Sequence, residues 1–163
     1  MVPNAASARA YLAGGAALEG YFYVERAAGF TLPAFNDFAP TDLGLDVHYV
    51  PHDILSDDFE VFRFDLMRPP LQPEKRVIDV VATGSGRCFG AVQWLRLDLV
   101  EGLVYENRPS PGATIDSWAH LLYRFSRPIE VKAGDHVRLL AQHNRRVLLI
   151  ADLPPGVVPA API

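Results

Sequence analysis

Residues 76–100 read RVIDVVATGSGRCFGAVQWLRLDLV, and this stretch decides the fold. Its first part is rich in β-branched residues, and Gly84-Ser85-Gly86 separates it from a second apolar run. In the second run alternate positions are apolar, with Gln93 as the exception, whereas Arg96 and Asp98 occupy the opposite side. A period of two is typical of a half-buried strand. Two such runs joined by a glycine turn predict a β-hairpin.

The same alternation recurs along the chain on both sides of this stretch. From Phe59 to Met67, apolar Phe62 and Phe64 alternate with charged residues, which predicts another half-buried strand. Further short strands are predicted at residues 7–12, 18–25, 104–107, 118–125, 129–131, 136–143 and 146–150. Many short strands separated by turns indicate an all-β, or mostly β, fold: an antiparallel β-barrel-like or sandwich domain. We find no amphipathic helix of ordinary length and no glycine-rich turn from a strand into a helix, which argues against a nucleotide-binding α/β domain.

Length and composition favour a single domain. The chain has 163 residues, of which 50% are hydrophobic, and this is enough to bury a substantial core. We assign residues 1–152 to the β-barrel domain and residues 153–163 to a flexible proline-rich tail. Within the domain, prolines and isolated apolar residues at about 35–57 predict a short arm with room for one small helix.

Charge, hydropathy and cysteine content limit the partners and the cellular compartment that we expect for this chain. The net charge is -4 and the basic residues are scattered, so no nucleic-acid-binding surface is expected. No stretch reaches the roughly 18 apolar residues of a membrane span, and the first residues do not resemble a secretory signal. The single cysteine, Cys88, excludes an internal disulfide and fits a reducing compartment, which favours a cytoplasmic protein.

Side chains that could carry chemistry are poorly arranged in the sequence. His48 and His52 would align only on a helix, which Pro51 opposes, and His136 and His143 point to opposite faces of a strand. A cupin-like metal-binding β-barrel enzyme stays an alternative function, but the histidine spacing contains no recognisable metal-ligand motif.

A catalytic nucleophile is not indicated either. Cys88 is expected to be a buried structural residue, and Ser85 lacks the strand-to-helix elbow that activates a serine. The carboxylates of Asp57 and Asp58 are expected to be solvated or to cap a turn. We assign no catalytic residue and no metal ligand.

Five segments follow one another in the order and spacing of a known family. They are Gly29–Leu32 with Phe35-Asn36, Gly90–Asp98, Asn107-Arg108-Pro109, Asp116-Ser117-Trp118 and Pro128–Asp135. Together they resemble the C-terminal β-barrel of the protein arginine methyltransferases, over roughly residues 1–150. Four positions depart from the family pattern, and one of them is Asp116, which replaces the threonine of a Thr-His-Trp motif. Thr31 replaces an aspartate, Ser117 replaces the histidine of the same motif, and His120 replaces a glutamine. The resemblance is therefore to a divergent member of the family, and a bacterial source is expected.

The resemblance implies an acceptor-binding and dimerisation domain of an S-adenosylmethionine-dependent methyltransferase. It implies that the cofactor binds to a preceding N-terminal methyltransferase domain that this sequence lacks, so that this chain holds no cofactor and is not catalytic alone. It places the acceptor, a protein or a small molecule, against Asp116, Ser117, Trp118 and His120, although His120 could equally be an ordinary strand residue. It also implies a homodimer formed through the arm. A stand-alone β-barrel interaction module is the second alternative.

Overall fold

The computed structural model describes residues 3–45, 50–68, 70–100, 102–110, 118–154 and 156–157. Within these ranges the chain is mostly β, with two short helices, which confirms the predicted fold class. The elements are β1 (Ala5–Gly14), α1 (Ala16–Phe22), β2 (Arg26–Ala27), β3 (Phe30–Thr31), a 3-10 helix (Pro33–Phe38), β4 (Asp42–Leu45), β5 (Asp53–Ile54), β6 (Phe59–Asp65), β7 (Glu74–Val81), β8 (Gly86–Val100), β9 (Leu103–Glu106), β10 (His120–Val131), β11 (His136–His143) and β12 (Leu148–Asp152). Neither described helix is long and apolar enough to cross a membrane.

The strands form two antiparallel sheets and one small hairpin. The large sheet has seven strands in the order β4-β10-β8-β1-β5, with β6 also paired to β1 and β9 to β8. The second sheet has the order β12-β11-β7, and β2 pairs with β3. Among the described strands these ladders are separate, so the arrangement is a sandwich rather than a closed barrel.

The large sheet is buried on both faces. Ala10 and Leu12 of β1 belong to a core that the two sheets share, together with Phe62. The alternate residues Tyr11 and Ala13 belong to a second core on the other face. Leu18 of α1 and Val50 cover that second core. Because both faces are covered, β1 is apolar at nearly every position instead of alternating with charged residues.

A β-bulge in β8 changes which side chains share a face. Ala13 pairs with Gly90 and Gly14 pairs with Cys88, so Phe89 is an extra residue between two consecutive pairs. Phe89 therefore packs in the core behind the large sheet, whereas Ala91 packs between the sheets. The prediction that alternate residues of this strand share one face from residue 89 onward is wrong at the bulge.

The predicted hairpin of residues 76–100 is also wrong. β7 pairs with β11, whereas β8 pairs with β1 and β10 in the other sheet. Ala82 forms a bridge with Ser56 and donates its N–H to the Asp135 carbonyl at 2.8 Å. The glycine turn therefore carries the chain from one sheet to the other rather than folding it back.

The second strand predicted near the N-terminus is a helix. Gly15 has a φ of 105°, a conformation that favours glycine, and its carbonyl accepts the Glu19 N–H at 3.1 Å. The helix buries Leu18 completely. A glycine turn thus does join a strand to a helix, contrary to the prediction. The helix has seven residues, which is too short for its periodicity to be recognised in the sequence.

The arm is partly joined to the large sheet. Its small helix is the 3-10 helix, which begins at Pro33, and β4 pairs with β10 while β5 pairs with β1. Residues 46–49 lie outside the described ranges. β12 ends at Asp152, and the division into a domain and a tail stays a prediction, because most residues after 154 are not described.

Candidate functional site

Asn107 fixes the segment on which the predicted site residues lie. Its side chain is buried, with 8% of its surface exposed. Asn107 Oδ1 accepts the Leu95 N–H at 2.9 Å, and Nδ2 donates to the Trp118 carbonyl at 2.9 Å. The carbonyl of Asn107 lies 2.6 Å from His120 Nε2. One asparagine therefore ties the Trp118 backbone and the His120 ring to the edge of β8.

The structure describes two of the four predicted acceptor-binding residues. Asp116 and Ser117 lie outside the described residues. Trp118 is 44% exposed, and its ring meets the Tyr105 ring edge-on at a centroid distance of 5.9 Å. His120 is half-buried and is the first residue of β10. Trp118 therefore lies before the strand, and the two side chains do not share a strand face. The role of all four residues in acceptor binding stays a prediction.

A cluster of aromatic rings around Arg108 lies on the face of the large sheet that carries Tyr11 and Trp94. The Arg108 guanidinium lies 5.8 Å from the Tyr11 ring and 5.7 Å from the Trp94 ring. It also forms two hydrogen bonds with Asp58, at 2.7 and 2.9 Å. The bond to Asp58 raises the pKa of Arg108. A bidentate carboxylate and two ring faces together hold the guanidinium in one orientation.

Tyr11 is part of a hydrogen-bonded pair with His52. The Tyr11 hydroxyl lies 2.8 Å from His52 Nε2, and His52 Nδ1 lies 3.0 Å from the Val50 carbonyl. A carbonyl can only accept, so Nδ1 carries a proton, and in the neutral ring Nε2 accepts the proton of Tyr11. Burial raises the pKa of the Tyr11 hydroxyl well above its ordinary value. The phenol therefore stays neutral and acts as a donor.

Trp94 connects this cluster to the charged residues at the strand edge. Its Nε1–H donates to Glu106 Oε1 at 2.8 Å. Glu106 also lies 3.8 Å from Arg9 and 3.7 Å from Arg96. Two guanidinium groups therefore neutralise this carboxylate. The cluster therefore consists of two buried aromatic rings and of charges that are already paired.

Sequence reasoning did not assign a site role to Tyr11, Asp58, Trp94, Glu106 or Arg108. Arg108 belonged to one of the segments on which the family resemblance rested, and this is the one signal that could have pointed to the cluster. Asp58 lies 50 residues away from Arg108 in sequence, and nothing in its own segment marks it as the partner.

The remaining candidates for chemistry are structural. Cys88 is completely buried and burial raises its pKa to about 11, so the thiol is protonated at neutral pH and the prediction of a structural cysteine is confirmed. Ser85 Oγ accepts the Ala133 N–H at 3.0 Å. In the part of the chain that the structure describes, no three His, Cys, Asp or Glu side chains are grouped so that they could hold a metal ion.

Comparison with curated proteins gives three relatives, and no family model matches the sequence. The chain is 28% identical over 142 residues to "Arginine N(omega)-methyltransferase" of Streptomyces achromogenes subsp. streptozoticus, covering 85% of this chain and 38% of that protein. It is 30% identical over 123 residues to human "Protein arginine N-methyltransferase 9", covering 74% of this chain and 14% of that protein. The chain thus spans well under half the length of these relatives.

A solved structure shares the fold. It is described as the "Trypanosoma brucei PRMT1 enzyme-prozyme heterotetrameric complex with AdoHcy" and matches with a TM-score of 0.66 and 12% identity. The match covers 87% of this chain and 48% of that one. The described sandwich therefore has the same fold as one part of a longer chain.

Proposed function

Since the chain belongs to the arginine methyltransferase family and corresponds to its C-terminal β-domain, we propose that it binds the methyl acceptor for a methyltransferase that uses S-adenosylmethionine. The observation that carries the proposal is the match to two proteins named as arginine methyltransferases, which covers most of this chain and a minor part of theirs. Methyl transfer itself belongs to a separate methyltransferase domain, with which this chain forms the acceptor cleft.

The described residues do not fit S-adenosylmethionine. The one glycine turn that leads from a strand into a helix, at Gly14-Gly15, opens a helix of seven residues in an antiparallel sheet. The Asp53 carboxylate approaches Gly15, and Glu19 lies in the first turn of the helix. Negative charge at this end of the helix disfavours the carboxylate of the cofactor. No step of the transfer is therefore assigned to this chain.

We place the acceptor against Trp118 and its neighbours. An arginine side chain presents a flat guanidinium that stacks on an aromatic face, and Trp118 offers an exposed ring braced by Tyr105. In this proposal Asp116 supplies a carboxylate, while Ser117 and His120 supply polar contacts beside the ring. Because Glu106 is already neutralised by two arginines, it contributes less charge to the acceptor than an isolated carboxylate would.

Replacing Trp118 by alanine is expected to weaken binding of an Arg-Gly repeat peptide about fivefold, the amount that an exposed cation–π contact contributes. Trp118→Phe should retain most of the affinity, since it keeps an aromatic face. Calorimetric titration measures the affinity of all three chains, and in the unsubstituted chain an NMR titration that follows the two indole N–H signals locates the peptide at Trp118. Trp94 is buried, so its signal is the internal reference.

A Lys-Gly repeat peptide of equal length is the matched control for charge alone. Equal affinities of the unsubstituted chain and Trp118→Ala for the arginine peptide would contradict the assignment of Trp118. Calorimetric binding of S-adenosylmethionine to the chain alone would contradict the assignment of methyl transfer to a separate domain.

We also propose that the arm mediates homodimerisation. Phe35 and Phe38 of the arm are 63% and 88% exposed, and Phe30, just before the arm, is 70% exposed, although large apolar side chains are rarely grouped on a solvated surface. Asn36 holds this region in place. Its side chain bonds to both Val24 N and Val24 O at 2.9 Å, and its carbonyl accepts Arg124 Nη2 at 2.5 Å. A fixed aromatic surface of this kind suits a second copy of the chain.

The double substitution Phe35→Ser/Phe38→Ser is expected to shift the chain from dimer to monomer, because it removes the two exposed rings of the 3-10 helix. Sedimentation velocity over a range of concentrations measures this shift. Met67→Ser is the control, since Met67 is 66% exposed and lies outside the arm. A strictly monomeric unsubstituted chain at high concentration would contradict the proposal.

A further inference from the structure

A cavity of about 490 Å³ lies on the opposite face of the large sheet from Trp94 and Tyr11. Ala8 and Leu95 line it, and these residues alternate along their strands with Arg9 and Trp94 on the other face. Its other apolar walls are Phe64, Leu66, Leu71, Leu121 and Leu148. The volume falls within the range of small-molecule sites, which have mostly apolar walls and a few polar groups.

One polar group that lines this cavity is buried and unsatisfied. His143 is 8% exposed, and its Nδ1 has no hydrogen-bond partner among the described residues. Edge-on contacts with Phe62 and Phe64, at centroid distances of 4.6 and 5.0 Å, fix the ring. A buried nitrogen without a partner is costly, so a fixed one at a cavity wall indicates an interaction with a ligand.

The loop between β11 and β12 brings two cations to the exposed side of the cavity. Arg145 and Arg146 both line it, and the structure gives neither guanidinium an ion-pair partner among the described residues. Asn144 Oδ1 accepts the N–H groups of Arg146 at 3.0 Å and of Val147 at 2.9 Å, which fixes the loop. Among the described residues of the lining Asp42 is the one acidic residue, and two arginines outnumber it.

We infer that this cavity binds a small amphipathic carboxylate. Its hydrocarbon body packs against the leucine walls, its carboxylate pairs with Arg145 and Arg146, and an oxygen of the carboxylate accepts a hydrogen bond from His143 Nδ1–H. Arginine pairs well with a carboxylate because its planar donors match the two oxygens. This site is separate from the cluster of Arg108, Tyr11 and Trp94, since the large sheet lies between them, and neither Trp118 nor His120 lines it. The inference therefore does not depend on the proposed function.

Decanoate is the probe, and decyltrimethylammonium has a similar hydrocarbon body with the opposite charge. We expect calorimetry to show saturable binding of decanoate to the full chain, and about tenfold weaker binding to the double substitution Arg145→Gln/Arg146→Gln, because charge-assisted hydrogen bonds are lost. Arg26→Gln/Arg127→Gln changes the net charge equally at two exposed residues outside the cavity and should bind normally.

NMR locates the ligand independently of affinity. Decanoate should shift the imidazole signals of His143 and leave those of His136 unchanged, because His136 lies at the other end of β11 and pairs with Asp79. Leu71→Glu, in a loop segment of the lining, should weaken binding by repulsion, and Leu71→Gln should weaken it less. Equal binding of the cationic probe, or unchanged affinity in the Arg145→Gln/Arg146→Gln chain with no shift at His143, would overturn the inference.

Discussion

Replacing Gly90 by alanine is expected to destabilise the domain by about 3 kcal/mol, because the strands are too close for a side chain at this position. A Cβ atom on Gly90 would lie 2.2 Å from the Tyr123 carbonyl oxygen and 3.0 Å from its carbon. These are backbone atoms of β10, which cannot rotate away as a side chain does. The two central strands of the large sheet would have to separate, next to the bulge at Phe89. Urea unfolding followed by circular dichroism measures the loss.

Gly44→Ala is the matched control for this substitution. Gly44 also lies in a strand paired with β10, but no described atom lies within 4 Å of the Cβ that it would gain. Its effect should stay within about 0.5 kcal/mol, as for an ordinary surface position. Equal stabilities of the two alanine variants would show that β8 and β10 are not packed as closely as described.

Replacing Trp94 by alanine is expected to cost about 3–5 kcal/mol of unfolding free energy, the usual range for truncation of a buried aromatic residue. Trp94 is 1% exposed and packs with Tyr11 at a ring centroid distance of 5.4 Å. The substitution also removes the donor that Glu106 accepts and one of the ring faces under Arg108. The core behind the large sheet and the charged strand edge would therefore weaken together.

Trp118→Ala is the control, because Trp118 is the other tryptophan of the chain and is largely exposed. Its unfolding free energy should change by about 0.5 kcal/mol or less. Trp94→Phe should recover part of the loss, since it restores ring packing without the N–H donor. If Trp94→Ala unfolds at the same urea concentration as the unsubstituted chain, the second core does not contribute as the structure indicates.

Local patterns predicted the strands better than they predicted how the strands pair. Phe59–Asp65 forms a strand as its alternation indicated, because one face is buried and the other is solvated. The pairing of β7 with β11 instead of β8 depends on residues distant in sequence, which the Gly84-Ser85-Gly86 turn does not reveal. The helix that contains Leu18 was not predicted, because its position is set by the sheet that it covers and not by a pattern in its own short sequence.

The candidate site was predictable only where the family resemblance reached it. Trp118 and His120 were proposed in this way, and the structure shows both in contact with Asn107. The Arg108–Asp58 pair could not be predicted, because it joins a loop after β9 to a loop before β6. Periodicity describes neighbours within a strand and carries no information about such contacts between loops.

The position of β1 has a consequence for the speed of folding. Ala5 pairs with both Asp65 and Asp98, so β1 lies between strands that follow it much later along the chain. Closing such long loops costs chain entropy before any pairing energy is recovered, and folding driven by distant contacts is slow. During synthesis, β1 leaves the ribosome before any strand that pairs with it, and one of its edges stays unpaired until β8 has followed. A chaperone that shields the apolar residues of β1 is therefore expected to help the nascent chain fold.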